Sequence, residues 1–148
     1  MPCPSQQNPP GTALAVLGLG SNRGDSTSIL WGAIKALAGL LEGLREARVL
    51  ESEPLHVTDQ ARFFNTAVSG FYRGEPLELL KEIHQIEASF GRNRRQERRW
   101  GERTLDIDIL LFGSQIISLP PQLEIPHPRL KDASIWWISF NSSRGSPR

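Results

Sequence analysis

The chain has 148 residues, 39% apolar and 22% charged, which is the size and balance of one globular domain and too little for two. Fourteen Arg and three Lys against sixteen acidic residues leave a net charge of +1, which removes any global argument for nucleic-acid or membrane binding. A single cysteine, Cys3, excludes an internal disulfide, three scattered histidines (His56, His84 and His127) form no zinc pattern, and the polar, Pro-rich start has no secretory character, so the chain reads as cytoplasmic.

Residues 1–12 read as a disordered lead-in, because Pro and Gln dominate and no hydrophobic period appears. Residues 13–19 are short, apolar and closed by Gly20-Ser21-Asn22, the pattern of a buried strand ending in a turn. A helix follows, capped by Asp25 or Ser26, with Leu30, Ile34, Leu37 and Leu41 on one face and Gly43 as its stop. Residues 45–52 are expected as a second strand, 53–62 as a loop, and 63–72 as a third strand. Phe63 and Phe64 alternate across that third strand, so one of them belongs to the core; periodicity does not say which. Pro76 opens a second helix whose stripe is Leu79, Leu80, Ile83, Ile86 and Phe90, ending at Gly91. After a basic loop over residues 92–103, residues 104–112 return to strand-like alternation. The order βαββαβ favours an α+β fold with a ferredoxin-like core, its helices packed on a mainly antiparallel sheet.

The chemistry concentrates in residues 91–113. On a strand, residues two apart share a face, so Asp106 and Asp108 project together while Leu105, Ile107 and Ile109 cover the other side. Two carboxylates so close repel unless a cation lies between them, and an all-oxygen pair suits Mg²⁺, which completes its shell with water and phosphate oxygens. Upstream, Arg92, Arg94, Arg95, Arg98 and Arg99 are opposed only by Glu97, with Arg103 following; such a loop neutralises phosphates. Each feature has a plainer explanation when taken alone: an Asp-x-Asp is often the solvated face of a sheet, and an Arg run a solvated loop or a nucleic-acid patch. Side by side they supply what phosphoryl or pyrophosphoryl transfer needs. Gly18 and Gly20 form a Gly-x-Gly after the first strand, but the rest of a dinucleotide fingerprint is not in place.

Trp100-Gly101-Glu102-Arg103-Thr104-Leu105-Asp106-Ile107-Asp108 resembles the signature of the 6-hydroxymethyl-7,8-dihydropterin pyrophosphokinase family. Leu19-Gly20-Ser21-Asn22, Glu51-Ser52-Glu53-Pro54-Leu55, Phe63-Phe64-Asn65-Thr66-Ala67-Val68, Ile86-Glu87 with Gly91-Arg92, and Ile125-Pro126-His127-Pro128 extend the likeness in the same order, over residues 13–132. The resemblance implies transfer of the β,γ-diphosphate of ATP to the pterin hydroxymethyl group, giving AMP and the pterin diphosphate, in folate biosynthesis. It implies ATP as co-substrate and two Mg²⁺ ions on Asp106 and Asp108. Arg92 and Arg103 would join the two aspartates as catalytic residues. Glu87, Arg92, Arg94, Trp100, Arg103, His127 and the backbone at Ile109 would bind ATP. Ser52, Leu55, Phe63, Asn65, Trp100 and Asp106 would bind the pterin. The implied partners are small molecules only, with no nucleic acid and no membrane, and the implied state is a monomer.

The chain departs from the family pattern at Glu102, where a proline is usual, and over residues 133–148. Ala133 and Ile135 stand where the family has an arginine and the aromatic that stacks on the pterin. Losing one stacking partner costs about 0.5–1.5 kcal/mol. Two other readings are a nucleotide-binding relative with weakened catalysis and an RNA-binding α+β module; the latter lacks the aromatic motifs that an RNA-recognition sheet carries.

Overall fold

The computed structural model describes residues 8–22, 25–46, 50–52, 63–91 and 105–128. Its elements are β1 (Ala13–Ser21), α1 (Ser26–Ala38), β2 (Leu41–Glu46), β3 (Leu50–Ser52), β4 (Phe63–Tyr72), α2 (Pro76–Ser89), β5 (Asp106–Phe112), β6 (Ile117–Leu119) and β7 (Leu123–Ile125). The main sheet is antiparallel in the order β2-β4-β1-β5, with β3 pairing with β4 as well. This is the α+β, ferredoxin-like arrangement expected from the element order, with β1 and β4 central and β5 at an edge.

The helices form where caps and apolar stripes coincide. Asp25 caps α1, its carboxylate accepting from the Ser28 amide (3.3 Å) and hydroxyl (3.0 Å). In α2, Pro76 occupies the first turn and Glu78 reaches back to accept from the Glu75 amide (2.7 Å). Leu30, Ile34 and Leu37 of α1 and Leu79 and Ile83 of α2 are buried against Ala15, Leu17, Leu19, Val68, Ile107 and Ile109 of the sheet. Each such side chain contributes roughly 1.5–3 kcal/mol when fully buried. Phe64 also packs against this core. No helix among the described residues is long and apolar enough to cross a membrane.

Three expectations are corrected. The first helix ends at Ala38 rather than near Gly43; Leu41, read as part of its stripe, instead opens β2 opposite Tyr72 and is buried there. Gly43, with φ +62°, sits where the β2–β4 register shifts between Glu42 and Arg45, so it serves a bulge instead of a helix stop. Of the strand expected over residues 45–52, the described residues belong to β2, which begins earlier at Leu41, and to β3, and these pair with opposite ends of β4. Finally, residues 8–12, expected in the disordered lead-in, form a turn: the Thr12 amide and hydroxyl donate to Pro9 O (3.2 and 2.7 Å), and Arg73 Nη1 donates to Pro10 O (2.6 Å). Residues 1–7 and the tail beyond residue 128 lie outside the described residues.

Candidate active site

The sheet has a face packed against the helices and an opposite face, on which Ala67 is also buried, and strand alternation sorts the functional residues between them. On β5, Leu105, Ile107 and Ile109 go to the core, while Asp106 and Asp108 are half-buried at the alternate positions. Register then sets their neighbours. Asp106 pairs with Gly20 of β1, and Gly20 pairs on its other side with Asn65 of β4. One step along, Asp108 pairs with Gly18, which pairs with Ala67. Two parallel rows result, Asn65-Gly20-Asp106 and Ala67-Gly18-Asp108.

The middle member of each row has no side chain. Neighbouring strands lie about 4.8 Å apart, so the outer members of a row are separated by roughly 10 Å of backbone with only a glycine between them. The Gly-x-Gly that resembled part of a dinucleotide fingerprint therefore has a different use: Gly20 keeps the floor between Asp106 and Asn65 free of a side chain, while Gly18 makes room for Leu110, whose Cδ1 would lie 3.4 Å from a Cβ there.

His127 closes one end of this face. Its backbone amide donates to Leu110 O (2.9 Å), and its Nε2 lies 3.6 Å from Asp108 Oδ1. That separation is too long for a hydrogen bond and becomes an ion pair only when the imidazole is protonated. The short β6–β7 hairpin, which the sequence reading left out, delivers His127: Leu123 and Ile125 are buried in the core and fix the chain just ahead of it.

Ser52, at the end of β3, pairs with Phe63 at the start of β4, so both stand on the strand that carries Asn65 or beside it. Ile109 is buried, which leaves only its backbone for any ligand contact. Glu87, which the resemblance assigns to the nucleotide, belongs to α2. It is 1% exposed on the buried side of α2, and its Oε2 accepts a hydrogen bond from the Ile107 amide (2.8 Å). Leu55, Arg92, Arg94, Trp100 and Arg103 lie outside the described residues.

The donor set fits a hard divalent cation. Among the described residues no group of three or more His, Cys, Asp or Glu is arranged to hold a metal. Mg²⁺ does not need one: one or two protein carboxylates suffice when water and substrate phosphates fill the remaining positions. Asp106 and Asp108 supply that pair on one strand face.

Known proteins resemble this chain. The family model described as 7,8-dihydro-6-hydroxymethylpterin-pyrophosphokinase (HPPK) matches residues 16–140. The 2-amino-4-hydroxy-6-hydroxymethyldihydropteridine pyrophosphokinase of Bacillus subtilis (strain 168) is 40% identical over 119 residues, covering 79% of this chain and 70% of that protein. The folate synthesis bifunctional protein of Arabidopsis thaliana is 38% identical over 116 residues, covering 78% of this chain but 24% of the relative. Among solved structures, a Plasmodium falciparum HPPK-DHPS triple mutant superposes with a TM-score of 0.63 at 18% identity, over 93% of this chain and 41% of that one, a likeness of fold. The chain thus corresponds to a minor part of each bifunctional protein. By the extent of the family match and the identity to the Bacillus subtilis enzyme, the chain belongs to the 7,8-dihydro-6-hydroxymethylpterin-pyrophosphokinase family.

Proposed function

We propose that the chain is an ATP-dependent diphosphokinase of folate synthesis, transferring the β,γ-diphosphate of ATP to the hydroxymethyl group of 6-hydroxymethyl-7,8-dihydropterin. The hydroxymethyl oxygen attacks the β-phosphorus and the bond from that phosphorus to the α-phosphate bridging oxygen breaks. AMP leaves, and the hydroxymethyl proton is released. The observation that carries this reading is the row Asn65-Gly20-Asp106, which lines up an amide, a position without a side chain and a carboxylate beside Asp108.

In this reading Asn65 hydrogen-bonds the pterin ring, Phe63 stacks on it, and Ser52 and Leu55 offer backbone contacts. Asp106 and Asp108 hold two Mg²⁺ ions, with Asp106 beside the hydroxymethyl group. The ions would neutralise charge on the phosphates as the diphosphate moves. Arg92, Arg94 and Arg103 bind phosphate oxygens, His127 and the Ile109 backbone contact the nucleotide, and Trp100 closes over the bound ligands. A monomeric, cytoplasmic protein completes this reading.

Calorimetry with a non-hydrolysable ATP analogue tests the metal assignment. The expected result is Mg²⁺-dependent binding that weakens sharply in Asp106→Ala and Asp108→Ala; binding equally strong without Mg²⁺ or in both variants contradicts it.

A further inference from the structure

Glu87 is an acidic side chain placed where an apolar one is the ordinary choice. It lies on the same buried face of α2 as Leu79 and Ile83 and is only 1% exposed. A carboxylate there is costly unless it is hydrogen-bonded, and its Oε2 accepts from the Ile107 amide at 2.8 Å. Among the described residues β5 is an edge strand, paired on one side with β1. Edge amides that face away from the sheet need partners from elsewhere in the fold.

The location of that amide gives the contact its meaning. Ile107 separates Asp106 from Asp108, and its nitrogen belongs to the peptide that joins it to Asp106. Holding this nitrogen fixes how far β5 stands from α2, and with it the height of both aspartates above the glycine floor. α2 is itself anchored in the core through Leu79 and Ile83. We infer that Glu87 is a positioning residue that sets the placement of Asp106 and Asp108 from behind the strand, and does not itself touch the nucleotide. The inference rests on the reading of those aspartates as the metal-holding pair.

Two conservative variants separate this role from a charge or ligand role. Glu87→Gln keeps a carbonyl acceptor at the same reach. Glu87→Asp keeps the charge but withdraws the acceptor by about 1.5 Å, one carbon–carbon bond. The expected result is near wild-type kcat and Mg²⁺ half-saturation for Glu87→Gln. Glu87→Asp should lose about 10- to 100-fold in one of these, the range for residues that orient metal ligands, with little change in ATP affinity measured without Mg²⁺. In amide hydrogen exchange, Ile107 should remain protected in Glu87→Gln and lose protection in Glu87→Asp.

Equal losses in the two variants, or wild-type behaviour of Glu87→Asp, overturn the inference. So does weakened metal-free ATP binding, which assigns Glu87 to the nucleotide. If Glu87→Asp fails to fold, Glu87→Gln decides: retained kcat supports the strut and a folded, inactive protein overturns it. A wild-type chain that forms no AMP would refute the proposed reaction instead. The positioning claim is then judged on Mg²⁺-dependent binding of the ATP analogue and on Ile107 exchange in the same variants.

Discussion

Asp106 stands directly across from Gly20, and that pairing turns an ordinary antiparallel ladder into a candidate substrate floor. A side chain at Gly20 would enter the space between Asp106 and Asn65. Gly20→Val suits a strand in its intrinsic preference, so the fold should tolerate it better than the site does. The expected result is at least about a ten-fold fall in kcat/KM for the pterin, since small misplacements at a reacting centre are costly. Steady-state kinetics at saturating ATP check this, with circular dichroism confirming the fold.

Removing either carboxylate should separate activity from stability. Asp106 and Asp108 share a strand face, so losing either one removes half of the carboxylate pair that would hold the cation. Asp106→Ala and Asp108→Ala should each lower turnover by about 1,000-fold or more, an amount in line with removal of a principal electrostatic group. Thermal denaturation should show both variants folded at the assay temperature, so that the lost turnover is read from folded protein.

Gly70 tests the packing behind the site. A Cβ there would lie 2.7 Å from Leu41 Cβ and 3.3 Å from Glu42 O, both rigidly held where β2 meets β4. Gly70→Ala should destabilise the fold by about 1–3 kcal/mol, the usual range for overpacking a core. Urea denaturation measures the loss, and activity per folded molecule should be unchanged.

Tyr72 gives a pH dependence with a defined sign. Burial, chiefly, and then its hydrogen bond to the Glu82 carboxylate and the charges of Glu82 and Glu78 push the phenol pKa well above its ordinary value. The folded state therefore holds this proton more tightly than the unfolded chain does. Its contribution is fully present below the unfolded phenol pKa of about 10 and is lost as pH rises from there towards the folded value. Urea denaturation between pH 8 and pH 11 should show stability falling more steeply in the wild type than in Tyr72→Phe. At pH 8 the variant should be weaker by about 1 kcal/mol, one hydrogen bond.

The parts of the fold legible in the sequence are those written in local periodicity. The alternation of residues 63–72 gave β4 its full length, Pro76 marked the start of α2, and Asp106-Ile107-Asp108 announced two carboxylates on one face. What was not legible depends on pairing between distant segments. Gly18 and Gly20 matched part of a nucleotide-binding pattern because nothing local says that they stand between Asp108 and Ala67, and between Asp106 and Asn65. Leu41 continued a helical period past Ala38 because its burial comes from β4, across the sheet. β6 and β7 have three residues each, too few for alternation to register, although they place His127. The burial of Glu87 was not legible, because a backbone amide that it accepts from lies twenty positions away.

The most direct test of the central claim is AMP formation by the purified, folded chain supplied with ATP, Mg²⁺ and 6-hydroxymethyl-7,8-dihydropterin. The account predicts one AMP for each pterin diphosphate formed, with no turnover when Mg²⁺ is withheld or Asp106 is replaced by Ala. A folded chain that binds both substrates in the presence of Mg²⁺ and yields no AMP would contradict it.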